Sequence, residues 1–256
     1  MKIGGSTLGA HDTTLEDLVA LQRRGVRSIV VHGGGKTITQ WLDKQGVPTR
    51  FVRGLRVTDA QSLQVVVAVL AGLVNKELVA GLHALGGKAM GLCGADGGLL
   101  EARVMDPELG YVGEVTRVDM TPLRAILDAG CIPVVAPIAL QSPPREGSAL
   151  LNVNADTVAG EVAVAAGARR LIFLTDVSGI LDRSGTPISR LTTTEARDLA
   201  AKDVVSGGMI PKVEACLRAL ACADESLIID GRSSHALLMA VEGRGEGTRI
   251  VKGGGA

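Results

Sequence analysis

Six short runs of branched aliphatic residues, RSIVVHG, KAMGLCG, CIPVVAPI, RRLIFLTD, ESLIIDG and GTRIV, recur along the chain with helix-length segments between them. Strand and helix patterns that alternate in this way cover a sheet with helices on both sides, so the expected fold is α/β with a mostly parallel central sheet. Between the strands, TLEDLVALQRRG has the marks of a whole helix. Thr14 stands in capping position, Glu16 and Asp17 lie in the first turn where the helix dipole favours anions, and Gly25 is the stop. The segment from Gln61 to about Leu85 reads as one long helix, apolar on nearly every face through its first half. Such a helix is buried or meets a partner, and a homodimer interface is the preferred expectation.

A chain of 256 residues with 46% hydrophobic side chains can bury one large core or two modest lobes. NADTVAGEVAVAAGA continues the first lobe as a helix before RRLIFLTD begins a new strand, so the expected division lies between lobes 1–168 and 169–256, with QSPPREGSA as a loop. Formal net charge is zero and aromatics make up 2% of the chain, which argues against the basic, base-stacking surface of a nucleic-acid binder. Any adenine pocket must then have aliphatic walls. Cys93, Cys131, Cys216 and Cys222 form no CxxC pair and no cluster with the histidines, which points to reduced thiols and a cytoplasmic location. MKIGGSTLGA contains no apolar signal segment, and the longest greasy run, VVVAVLAGLV, is too short to cross a bilayer, so no membrane association is expected.

Glycine clusters follow several predicted strands: KIGGS, HGGGKT, LTDVSGIL and SGGMIPK. HGGGKT is not a P-loop, because Val30 stands where that motif needs its first glycine, and it is not a dinucleotide fingerprint, because Ile38 replaces the third glycine. A single cluster is as well explained by a tight strand-to-helix turn. Several together point to a polyphosphate, since glycines let backbone N–H groups close on an anion at a helix N-terminus. Lys2 and Lys212 sit beside two of these loops, and phosphoryl transfer needs mainly positioning and positive charge. Lys36 reads instead as a solvated first-turn lysine, and His32 as a packed strand end rather than a base.

NVNAD sets Asn154 as an N-cap and Asp156 in the first helical turn, while Asn152 and Asn154, one residue apart in an extended segment, project to the same side toward a polar ligand. Arg56 in RGLRVTD is suited to pair bidentately with a carboxylate.

The ordered set KIGGS, HGGGKTI, GLRVT, NVNAD, LTDVSGIL and GGMIPKV, joined by ELGYVGEV, IIDGR and GTRI, resembles the amino acid kinase family over essentially the whole chain. The resemblance implies an open αβα sandwich of the carbamate kinase-like type, with an acyl amino acid in the N-terminal lobe and MgATP in the C-terminal lobe. It implies that Lys2 and Lys212 stabilise the transferring phosphoryl group and that Asp156 holds the two ammonium groups. Gly4, Gly5, Gly34 and Gly35 would form the backbone cradle. Arg56 and Asn152 would bind the acyl amino acid with Asn154 nearby. Thr175, Asp176, Val177, Ser178, Gly179, Ile180 and Leu181, with Met209, Ile210 and Pro211, would line the nucleotide pocket. Within the family the match favours phosphorylation of the γ-carboxylate of N-acetyl-L-glutamate, in arginine biosynthesis, with Mg²⁺ carried by ATP rather than by a protein site.

That chemistry needs no general base, because a carboxylate with an ordinary pKa near 4.3 is already ionised at neutral pH. Alternatives stay open at this level. An acylated or carrier-linked aminoadipate of lysine biosynthesis differs by one methylene, worth only about 1 to 3 kcal/mol of discrimination in a pocket. A non-catalytic effector-binding module on the same fold predicts erosion of the charged residues, yet Lys2, Asp156 and Lys212 are all present. Family members usually carry several strand residues ahead of the lysine that corresponds to Lys2, where this chain has Met1 alone, so a shortened first strand or an upstream start is expected. Arginine-inhibited members carry an additional N-terminal helix; without it, a feedback-insensitive simple dimer is the expectation.

Overall fold

The computed structural model describes residues 1–4, 13–144, 146–202, 204–205 and 207–253. Strands form at β1 (Lys2–Ile3), β2 (Val30–His32), β3 (Phe51–Val52), β4 (Leu55–Arg56), β5 (Ala89–Cys93), β6 (Leu100–Val104), β7 (Val112–Val118), β8 (Ile132–Ala136), β9 (Ile138–Gln141), β10 (Leu150–Val153), β11 (Arg170–Thr175), β12 (Arg190–Thr192), β13 (Glu225–Asp230) and β14 (Thr248–Val251). The six aliphatic runs are β2, β5, β8, β11, β13 and β14. They join β1 and β12 in an eight-stranded sheet of order β12-β14-β13-β11-β1-β2-β8-β5. Every neighbouring pair is parallel except β13 with β14.

Alternation along the strands divides the core between the two faces of this sheet. Val31, Leu171 and Phe173 enter one apolar cluster, whereas Ile3, Val30, Ile172 and Leu174 enter the other. Both faces are covered, which is why these strands read as continuous apolar runs rather than as alternating ones. β1 lies between β2 and β11, so the two halves of the chain share one sheet.

The helices are α1 (Thr14–Arg23), α2 (Gly35–Lys44), α3 (Ala60–Val67), α4 (Asn75–Ala84), α5 (Thr121–Asp128), α6 (Ala155–Ala166), α7 (Thr193–Ala201), α8 (Met209–Ala219) and α9 (Ala236–Val241). Gly25 and Gly167 take φ of 77° and 60° and end α1 and α6, a backbone that favours glycine. Thr14 does not cap α1: the helix already includes it, and Thr13 holds the N-cap position with φ of −91° and no side-chain cap bond. The Thr13 hydroxyl accepts from the His235 N–H at 2.7 Å instead.

The long helix expected from residue 61 is α3 and α4 joined through a π-helical turn, Ala68–Val74. Asp59 caps it by accepting from the Ser62 N–H at 2.7 Å. Including its flanks, Ala60–Ala84 runs for 25 residues at mean hydropathy 1.9, long and apolar enough to cross a membrane by length and composition, which corrects the estimate made from the greasy run alone. One side of it, with Val66, Val69, Leu70 and Leu82, belongs to the apolar core.

Two features position the site. β6, β7, β9 and β10 close into a small barrel, and β10 leaves it to enter α6 through Asn154. α6 then packs against α8 at Gly160, where a Cβ would stand 3.1 Å from the Ala215 Cα. Gly160 lies one turn beyond Asp156 and Ala215 nearly one turn beyond Lys212, so this close approach brings the N-terminal turns of the two helices together.

Candidate active site

Lys2 enters the site from the middle of the sheet, Asp156 from the first turn of α6, and Lys212 from the first turn of α8. Lys2 Nζ lies 2.9 Å from Asp156 Oδ1, and Lys212 Nζ lies 2.9 Å from Oδ2. The carboxylate side chain is 7% exposed. Lys212 also donates to the Gly208 carbonyl at 3.0 Å. An ammonium has three N–H donors and Asp156 Oδ1 can take one from Lys2, so Lys2 keeps donors for another acceptor. Two lysines against one aspartate leave net positive charge in a poorly solvated place, which is an arrangement for holding an anion.

A cavity of about 390 Å³ is lined by Gly33, Gly34 and Gly35 and by Asn152, Val153, Asn154 and Ala155. Asp156 is the next residue along. Gly34 packs closely on the α3–α4 helix, where a Cβ would come within 2.7 Å of Leu70 Cδ2 and the leucine side chain would have to move aside. The N-terminus of α2 begins at Gly35, so its first-turn amides and its dipole face this region. Lys36 is exposed in that first turn.

Asn154 caps α6, its Oδ1 accepting from the Asp156 and Thr157 N–H groups at 2.8 and 3.1 Å. Asn152 donates from Nδ2 to Thr58 Oγ1 at 3.2 Å and lines the cavity. Arg56 is buried, and burial lowers the pKa of its guanidinium while Asp43 opposes the shift. Its Nη2 donates to the Gly35 carbonyl at 3.0 Å and to Thr39 Oγ1 at 2.8 Å, its Nη1 donates to Thr49 Oγ1 at 3.2 Å, and Phe51 stacks 4.8 Å from it. The free protein therefore offers no open guanidinium fork, and a bidentate pair with a carboxylate requires release of one of these partners.

The nucleotide stretch divides. Asp176, Val177 and Ser178 are exposed, whereas Gly179 and Ile180 are buried. The Thr175 hydroxyl is engaged by backbone, 2.9 Å from the Val177 carbonyl oxygen and 3.0 Å from that of Ile229. Leu181 is exposed beside an open groove of about 660 Å³ lined by Asp182, Arg183, Ser184, Leu199, Lys202 and Val204. Ile210 is exposed and Met209 and Pro211 half-buried on the first turn of α8. Gly4 closes β1 with its N–H on the Leu174 carbonyl at 3.2 Å; Gly5 lies outside the described residues. Among the described residues no group of three or more His, Cys, Asp or Glu could hold a metal.

The sequence model described as the amino acid kinase family matches residues 1–230. The chain belongs to the amino acid kinase family. Among family relatives, acetylglutamate kinase of Dehalococcoides mccartyi is 41% identical over 98% of this chain and 93% of its own length. Acetylglutamate kinase of Nostoc punctiforme is 48% identical over 94% of this chain and 82% of its own length. Among solved structures, N-acetylglutamate synthase from Neisseria gonorrhoeae, complexed with coenzyme A and N-acetylglutamate, superposes with a TM-score of 0.85 at 27% identity, over 99% of this chain and 59% of that one.

For this family member, sequence reasoning missed Thr39, Phe51 and Thr58. Thr39 follows Gly35 by one helical turn and so shares its face, a spacing visible in GKTIT. Phe51 sits on a hairpin whose turn, Arg53 and Gly54 at φ of 50° and 78°, is announced by the RG pair. Thr58, fully buried, gave no signal beyond its neighbours.

Proposed function

We propose that the chain is an ATP-dependent kinase that phosphorylates the γ-carboxylate of N-acetyl-L-glutamate to N-acetylglutamyl 5-phosphate, a step of arginine biosynthesis. The observation that carries this reading is the pair of ammonium groups on Asp156, the residue that follows Ala155 in the wall of a cavity also lined by glycine backbone, Arg56 and Asn152. The names of the curated relatives support the acceptor, and so does the N-acetylglutamate in the solved synthase.

In this account the two reactants are both anions, and only fixed positive groups offset their repulsion. Lys2 and Lys212 stand where charge develops on the moving phosphoryl group, and Asp156 keeps their heads apart and directed. The α2 N-terminus and the Gly34 and Gly35 backbone take phosphate oxygens from the other side. Arg56 and Asn152 orient the acyl amino acid, with Arg56 giving up Thr39 or Gly35 as a carboxylate arrives. The acceptor oxygen needs no base. ATP lies along residues 169–256, against Gly4, the exposed part of residues 175–181 and the start of α8, where the groove offers the aliphatic Leu199 and Val204 to a base and Arg183 and Lys202 to phosphates. Mg²⁺ arrives on the nucleotide and neutralises part of its charge.

The exposed side of Ala60–Ala84, with Ala68 and Gly72, supports a homodimer. Four free cysteines support a cytoplasmic, reducing setting. A coupled ADP-release assay with N-acetylglutamate, N-acetylaminoadipate and free glutamate tests the assignment. Turnover with N-acetylglutamate well above the other two is expected, and preference for the aminoadipate derivative would refute it.

A further inference from the structure

His32 ends β2 with 1% of its surface exposed, and both ring nitrogens are held. Nδ1 is 2.9 Å from the Gly33 carbonyl oxygen, and Nε2 is 3.2 Å from Asn75 Nδ2. Neighbours of fixed polarity orient the Asn75 amide. Its Nδ2 donates to the Val134 carbonyl at 2.9 Å and reaches that of Leu92 at 3.4 Å, while its Oδ1 accepts from the Lys76 ammonium at 3.1 Å. Two carbonyls and an ammonium forbid exchange of the amide nitrogen and oxygen. Nδ2 is therefore the donor to Nε2, Nε2 carries no proton, and the His32 Nδ1–H donates to the Gly33 carbonyl. The ring is neutral, because burial lowers its pKa to about 4; the Gly33 bond opposes that shift and Lys2 and Lys76 add to it.

Two backbone features serve this contact. The π turn Ala68–Val74 ends where Asn75 begins, and looser winding there changes the direction in which the following residues leave the helix axis. Across from it, a Cβ on Gly91 would stand 1.9 Å from Asn75 Oδ1, so β5 has a glycine where the amide needs room.

We propose that His32 and Asn75 are positioning residues for phosphoryl transfer: the Asn75 amide fixes the imidazole as its Nδ1–H tautomer, and that N–H holds the Gly33 carbonyl so that the Gly34 and Gly35 backbone faces the cavity. The inference rests on the proposed kinase reading. Neither side chain lines the cavity; both act through the orientation of one peptide unit, next to glycines that have no side chain to hold them in place.

Nitrogen-resolved NMR of the ligand-free protein reads the tautomer directly. A protonated-type shift at His32 Nδ1 and a bare-type shift at Nε2 are expected, and the reverse pattern would overturn the proposal. Kinetics read the consequence. His32→Leu should lower kcat on the order of ten- to a hundredfold, as small misplacements of a catalytic frame do, with KM changed less than about threefold. His32→Asn, whose amide can replace the Nδ1–H donor, should recover most of that loss. Asn75→Leu supplies the same reading if His32→Leu does not fold. Wild-type kcat in the leucine variants, or equal losses in His32→Leu and His32→Asn that follow the thermal midpoint, would overturn the proposal. Wild-type protein inactive on N-acetylglutamate would overturn the kinase reading itself, and that result is distinct from an active wild type matched by its variants.

Discussion

Lys2 and Lys212, from opposite ends of the chain, lie at 2.9 Å from different oxygens of one buried carboxylate, that of Asp156. Burying a carboxylate alone is costly, and breaking such a pair leaves an uncompensated charge worth about 3 to 5 kcal/mol. The cluster is therefore both a point of stability and a preformed anion site.

Lys212→Ala should reduce kcat by about a hundred- to a thousandfold, the usual loss when one donor to a developing charge is removed, with far smaller changes in the KM of either substrate. Steady-state assays check this, and unchanged kcat would count against the role of Lys212.

Gly160→Val should push α6 from α8, because the Ala215 backbone occupies the space that a side chain needs. Overpacking of this kind costs about 1 to 3 kcal/mol. Denaturant unfolding should register the loss, and kcat should fall with it as Asp156 and Lys212 separate.

Arg56→Lys replaces a planar fork that binds Thr39, Thr49 and the Gly35 carbonyl by a point charge. Charged hydrogen bonds are worth about 1.5 to 3 kcal/mol, so KM for the acyl amino acid should rise roughly ten- to a hundredfold while KM for ATP holds. Equal effects on both substrates would contradict the assignment of Arg56 to the acceptor.

The His235 Nδ1 contacts buried Asp17 Oδ1 at 2.7 Å, tying α9 to α1, and that hydrogen bond and the aspartate charge raise the His235 pKa above 6.5. A raised folded-state pKa gives stability that is complete below about pH 6.5, the unfolded value, and is lost as pH climbs through the folded value. Thermal midpoints of wild type and His235→Gln should differ more at about pH 6 than at about pH 9. A constant difference would remove the ion pair from the account.

The fold was legible because β2, β8, β11 and β13 are buried on both faces and carry aliphatic runs, while β5, at the sheet edge, is legible from its place between helices although it exposes Met90. The small barrel was not, since β6 and β7 carry Glu101, Arg103, Glu114 and Arg117 and pair through ion contacts on a solvated face. The Asn154 cap followed from local rules. The meeting of Lys2 with Lys212 did not: it depends on how α6 and α8 pack, a long-range fact that the family resemblance supplied and spacing could not. The partners that hold Arg56 were hidden for a related reason, because an arginine among turns carries no sign of the threonines and the phenylalanine that fold onto it. The His32–Asn75 contact was hidden by a π turn, which breaks the helical periodicity from which side-chain directions are inferred.

Trapping the product with hydroxylamine tests the central claim most directly, because an acyl phosphate is captured as a hydroxamate whereas nucleotide hydrolysis alone yields none. With MgATP and N-acetylglutamate, the wild type should form hydroxamate in step with ADP release, and Lys212→Ala should form little of either. ADP release without hydroxamate, or a Lys212→Ala variant as productive as the wild type, would contradict transfer to a carboxylate at the Lys2–Asp156–Lys212 cluster.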